Sequence, residues 1–198
     1  MTKEKGLVIL AAGNSSRMGA CKFLLKTDAG ISFLEKILND TKEFCFDKVV
    51  IVVNENTYNE VVFNLKDHLS ENIIVIVNKN VNLERFYTLQ LGLQQLKDFE
   101  YYFVHNADNP FINSESLDFI FDNRGKTSVV VPCHNGKGGH PVMFNNKVAE
   151  FLLAAKPESR LNEELKKHDI LRLETSFEEV LTDIDTGADY FRVFGKNI

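Results

Sequence analysis

A three-layer α/β fold built on a mixed, mostly parallel sheet is the architecture this 198-residue sequence predicts. Three observations carry that reading. Short apolar runs rich in Val and Ile recur along the chain, and segments with helical spacing of apolar residues separate them. Strands that alternate with helices in this way pair in parallel and bury both faces of the sheet. One Gly-rich excursion, Gly136 to Gly139, interrupts the alternation and points to an antiparallel strand around His140 to Phe144.

The first run, Leu7-Val8-Ile9-Leu10-Ala11, reads as a buried strand and stops in Ala12-Gly13-Asn14-Ser15-Ser16-Arg17-Met18-Gly19-Ala20-Cys21-Lys22. Small residues let backbone N–H groups approach an anion. Arg17 can grip two phosphate oxygens and Lys22 can neutralise another, so the stretch has the composition of a phosphate cradle. Two well-known phosphate loops do not fit it. In G-x-x-x-x-G-K-[ST] the lysine directly follows glycine, whereas Ala20 and Cys21 intervene here, and the glycines of G-x-G-x-x-G are missing.

Ser32 is placed to cap a helix carrying Phe33, Leu34, Ile37 and Leu38, and Lys48 to Val53 is a second strand. A helix is expected over about Thr57 to Leu69, then a third strand over Ile73 to Val77. Asn78 follows it, suited either to a turn or to pairing with a nucleobase. Arg85 to Leu96 reads as a helix containing Thr88 and Gly92, the glycine implying close packing on a neighbour. A fourth strand, Tyr101 to His105, leads to Asp108-Asn109-Pro110, which fits a helix-entry turn or a metal-binding carboxylate.

Ser128 to Pro132 is a fifth strand, followed by the excursion and Gly139-His140-Pro141-Val142. Two helices are expected at Lys147 to Ala155 and Leu161 to His168. Two further strands are expected at Ile170 to Leu173 and Glu179 to Thr182. Asp183 and Asp185 fall on one side of an extended segment, so either could reach a metal; helix capping by Thr186 or Asp185 is the alternative.

Composition narrows the function. A net charge of −5 argues against a general nucleic-acid binder, so any phosphate chemistry must be local. The N-terminus has no signal-peptide apolar core and no run approaches the roughly 20 residues that span a bilayer, so a cytoplasmic protein with a single domain over 1–198 is expected. Cys21, Cys45 and Cys133 lack disulfide or metal spacing and read as small, mostly buried side chains.

Four motifs together, Leu10 to Lys22, Asp108-Asn109-Pro110, Gly139-His140-Pro141-Val142 and Asp183-Ile184-Asp185-Thr186-Gly187-Ala188-Asp189-Tyr190, resemble in residue and order the MobA-like nucleotidyltransferases, closest to their molybdenum cofactor cytidylyltransferase branch. Thr88-Leu89-Gln90-Leu91-Gly92-Leu93 resembles that family's Ser-Leu-x-x-Gly-Leu helix. Asn109 replaces a Gln, Gly187 replaces a Pro, and Glu84-Arg85-Phe86-Tyr87 stands where relatives carry a glycine-rich approach.

The resemblance implies a Rossmann-like fold of the nucleotide-diphospho-sugar-transferase type. It implies Mg²⁺-dependent transfer of a nucleoside monophosphate to the terminal phosphate of molybdopterin. Arg17, Lys22 and Asp108 would be catalytic, with Asp108 and Asp185 on the metal. Leu10, Ala11, Ala12, Gly13, Asn78, Thr88, Gly139 and His140 would contact the substrates. CTP is expected over GTP, because two residues separate Gly19 from Lys22 and Ala11-Ala12-Gly13 replaces the guanylyl branch's Ala-Gly-Gly. A molybdoenzyme or chaperone partner is a further expectation. The alternatives are a transferase using GTP or a sugar phosphate, and a non-catalytic carrier of the cofactor.

Overall fold

The computed structural model describes residues 3–13 and 21–196. Eight strands form one sheet: β1 (Lys3–Ala11), β2 (Lys48–Asn54), β3 (Ile73–Asn78), β4 (Phe99–Asn106), β5 (Val129–His134), β6 (Lys137–Gly138), β7 (Val142–Asn145) and β8 (Ile170–Glu174). Their order is β3-β2-β1-β4-β7-β5, with β6 and β8 also pairing β5. Pairings among β3, β2, β1 and β4 are parallel, as is β5 with β8. The expected antiparallel strand is β7, which opposes both β4 and β5.

Strand alternation sorts the core into two layers. Leu7, Ile9, Ile51 and Phe103 face one side, covered by α1 (Phe33–Asp40), α2 (Tyr58–Asn64) and α4 (Ser114–Phe121). Val8, Val50, Val52 and Val104 face the other, covered by α3 (Glu84–Gln94), α5 (Asn146–Ala154) and α6 (Leu161–Leu165). The three-layer α/β expectation therefore holds. Ser32 caps α1 through a reciprocal box with Glu35, and Gly92 is required by packing, since a Cβ there would lie 2.4 Å from Val8 Cγ1.

A third, smaller cluster decides where the last motif goes. Ile184 and Tyr190 bury beside Leu25 and Phe33, which docks α7 (Gly187–Phe194) against α1 at the C-terminal edge of the sheet. Among the described residues no helix is long and apolar enough to cross a membrane.

Several expectations are corrected. Glu179 to Thr182 is not a strand: Glu178–Leu181 is a 3-10 turn, because it buries only Val180 and its carbonyls are taken by Asn109 and His140 rather than by a ladder. The helix over Thr57 to Leu69 ends at Asn64, and the one over Leu161 to His168 ends at Leu165. Cys45 is exposed and Cys21 half-buried, so only Cys133 is the buried thiol expected of all three. Helix α4, started by the Asn113 side chain accepting from Ser116 N–H, was not anticipated.

Candidate functional site

In this strand order the chain leaves β1 toward β2 and β3, then crosses back to place β4 on the other flank of β1. The carboxyl ends of β1 and β4 thus form the point where the winding reverses and α/β sheets hold ligands. Leu10 stands in register with Asn106, and Ala107 N–H donates to the Leu10 carbonyl at 3.1 Å. Ala11 and Ala12 are buried, whereas a Cβ on Gly13 would meet nothing within 4 Å among the described residues. Arg17, with the rest of Asn14 to Ala20, lies outside the described residues.

Lys22 opens a 3-10 turn, Lys22–Leu24, anchored by the buried Phe23. Its Nζ donates to Asp108 Oδ2 at 3.0 Å and to Asp185 Oδ1 at 2.7 Å. The burial of Ile184, whose N–H donates to the Asp108 carbonyl at 2.9 Å, brings Asp185 there. Thr186, not Asp185, caps α7 through a box with Asp189. Asp183 stands close enough that burial first, then Asp108 and Asp185, push its carboxyl up to about 6.

A metal fits this set on one structural ground. Lys22 holds Asp108 through Oδ2, whereas Oδ1 is buried with no hydrogen-bond partner among the described residues, so one carboxylate oxygen is left unpartnered. Among the described residues no three His, Cys, Asp or Glu side chains gather into a self-sufficient metal cage. One or two carboxylates completed by substrate phosphates is the arrangement Mg²⁺ uses.

His140 reaches the same region from the far side of β4. Gly139 permits this: a Cβ there would lie 2.2 Å from the Val180 carbonyl oxygen, and that oxygen accepts from His140 N–H at 2.9 Å. The His140 ring stands nearly perpendicular to that of His105, 6.3 Å away. Burial, then His140, holds His105 down to about 4, and its Nε2 bonds the Asn109 carbonyl at 2.7 Å. Burial and then the Arg85 guanidinium also lower His140. Cys21, pushed up to about 12 mainly by burial, is no nucleophile at neutral pH.

Leu10, Arg85, Phe86, Leu89, Asn106 and His140, with residues 159–162, line a cleft of about 180 Å³. The sequence reading missed Arg85, whose Nη2 lies 3.8 Å from Asp108 Oδ2, and Asn106, a polar residue ending an apolar strand. Asn78 and Thr88, expected to contact the substrates, pair with each other. Asn78 is fully buried, donates to Thr88 Oγ1 at 3.0 Å and accepts from Asn80 N–H at 2.8 Å; it braces the turn after β3 and does not line this cleft.

A family profile for the MobA-like NTP transferase domain matches residues 7–172. The chain belongs to that family. The chain is 24% identical over 184 residues to the molybdenum cofactor cytidylyltransferase of Escherichia coli (strain K12), covering 92% of each. It is also 30% identical over 145 residues to a probable molybdenum cofactor guanylyltransferase of Natranaerobius thermophilus, covering 69% of this chain and 63% of that one. Among solved structures, Rv0371C from Mycobacterium tuberculosis H37Rv, in complex with manganese, superposes with a TM-score of 0.78 over 99% of this chain and 100% of that one, at 19% identity. This MobA-like chain is therefore a nucleotidyltransferase by family, and the switch point between β1 and β4 is its candidate active site.

Proposed function

We propose that this protein transfers a nucleoside monophosphate, CMP from CTP in preference to GMP from GTP, onto the terminal phosphate of a molybdopterin-type acceptor and releases pyrophosphate. The observation that carries the reading is the convergence of Lys22, Asp108 and Asp185 at the switch point. A non-catalytic carrier would not need two carboxylates gathered on one lysine at a phosphate-binding edge of the sheet.

Asp108 and Asp185 are the residues that would hold Mg²⁺. When bound, that ion supplies positive charge to the triphosphate and to the attacking phosphate. The remaining work belongs to the chain's own groups. Lys22 and Arg17 hold the triphosphate and the departing pyrophosphate, and the backbone at Ala12 and Gly13 lies against the nucleotide, consistent with the open space beside Gly13. Gly139 and His140 form the wall facing the acceptor. The attacking phosphate is already ionised, so no general base is required. Positioning and charge neutralisation carry the rate.

The CTP preference rests on Ala12: where its methyl lines the base pocket, it narrows the space a purine would fill. Overpacking costs on the order of 1 to 3 kcal/mol, or roughly ten- to hundredfold in kcat/KM. The guanylyltransferase relative favours GTP as the second reading. Steady-state kcat/KM for each triphosphate with molybdopterin decides between them, and a CTP to GTP ratio at or below one would reverse the choice. A cytoplasmic protein with one domain over its whole length, handing its product to a molybdoenzyme, belongs to the same proposal.

A further inference from the structure

We propose that Asn106 determines specificity: its buried amide reads the N–H edge of a phosphorylated heterocycle seated in the cleft over β1 and β4. The inference rests on the transferase reading and extends it to a residue outside the four motifs.

Asn106 is the last residue of β4 and only 3% exposed, yet its Oδ1 is buried without a hydrogen-bond partner. An unpartnered buried carbonyl destabilises the chain that carries it, and an apolar residue would serve the empty fold better. On the same strand Tyr102, Phe103 and Val104 are buried, and of its two buried polar residues, His105 and Asn106, His105 bonds the Asn109 carbonyl through Nε2. A polar residue kept against that pattern implies a donor arriving from outside the chain. Strand alternation puts Asn106 on the face of Val104, where Leu10 and Phe86 give the cleft apolar walls suited to a flat ring.

His140, on the same cleft, likewise holds a buried Nδ1 with no partner. Arg85 and Arg160, both exposed, supply positive charge for an anionic substituent at the rim. The Asn amide pairs one acceptor with one donor group, so it can bond an amide-like ring edge twice. A ring presenting N–H groups and carrying phosphate is chemistry shared by a nucleobase and a pterin.

The test uses Asn106→Leu in the full chain, with Asn106→Ser as the smaller replacement should the leucine prevent folding. Binding of CTP, GTP and 6-hydroxymethylpterin monophosphate is measured by calorimetry beside ligand-free melting and pyrophosphate release. The expected result is at least about tenfold weaker binding of either the nucleotides or the pterin phosphate, the other class staying within about twofold, with ligand-free melting unchanged or raised. Loss confined to the nucleotides assigns the cleft to the base, and loss confined to the pterin assigns it to the acceptor. Unchanged affinities for both classes, or no binding of either by the unmodified chain, overturn the inference. Binding without pyrophosphate release would overturn the transferase reading alone and leave the role of Asn106 to the affinity comparison.

Discussion

Lys22 Nζ lies 2.7 Å from Asp185 Oδ1, a contact that joins residues 163 positions apart and also holds Asp108 Oδ2 at 3.0 Å. Lys22 therefore bridges two carboxylates, with Arg85 Nη2 3.8 Å from Asp108 Oδ2 and Asp183 adding further negative charge nearby. Three consequences follow for substitution here.

Replacing Lys22 with Ala removes a charge-assisted contact of about 1.5 to 3 kcal/mol, so triphosphate affinity and turnover should fall roughly ten- to hundredfold. The same change leaves Asp108, whose side chain is only 14% exposed, facing like charges. Melting temperature at pH 7.5 should drop, and added Mg²⁺ should raise it more in the variant than in the unmodified chain. Equal Mg²⁺ responses would separate the carboxylates from metal binding.

Asp108→Asn preserves shape while removing the charge. Turnover should fall by several kcal/mol, more than about a hundredfold, at low Mg²⁺ and recover only in part at high Mg²⁺. Asp185→Asn, at a side chain about half exposed, should show the smaller loss. Metal titrations of pyrophosphate release check both, and an unchanged metal dependence for Asp108→Asn would remove it from the metal site.

Gly139→Ala tests the approach of the His140 loop to the 3-10 turn. A methyl 2.2 Å from the Val180 carbonyl oxygen forces backbone to move, and overpacking of this kind costs about 1 to 3 kcal/mol or more. Chemical denaturation should give a clearly lower midpoint, whereas a Gly13→Ala variant, with open space at its Cβ, should unfold like the unmodified chain.

Stability should fall with acid through the histidines. His105 is held down to about 4 from an ordinary value of 6.5, and His140 is lowered too. Between those limits the unfolded chain binds protons that the native chain does not, so stability present above about pH 6.5 is lost as pH drops toward 4. Asp183, raised from 3.8 to about 6, acts in the opposite sense over its own window, and solvent at its exposed surface weakens that effect. Melting temperature should decline from pH 7 to pH 5, and His105→Gln should decline less. A steeper decline in the variant would refute the assignment.

The parallel sheet was legible because it rests on local signals. Apolar runs mark the strands, and Gly13 and Lys22 punctuate the turn after β1. The Lys22 to Asp185 contact was not legible, because it depends on Ile184 burying beneath α1, a tertiary event with no local signature. The same reason explains the misread Glu179 to Thr182 segment, whose apolar and polar residues suit a strand until the Gly139-His140 loop claims its carbonyls. Asn78 shows how a strand-end polar residue can serve a turn, the first of the two roles its position allowed. A polar residue at a strand end looks ligand-facing, yet its amide is spent on Thr88 and Asn80. Asn106 carries a signal of its own, a polar residue closing a mostly buried strand in register with Leu10.

The most direct measurement is pyrophosphate release from CTP and molybdopterin by the unmodified chain, with Asp108→Asn and Lys22→Ala run in parallel and GTP in place of CTP as the comparison. Release that requires both substrates, favours CTP and collapses in both variants is the expected result. Release that persists undiminished in the two variants, or its absence with either triphosphate when both substrates bind, would contradict the assignment of nucleotidyl transfer to the Lys22, Asp108 and Asp185 cluster.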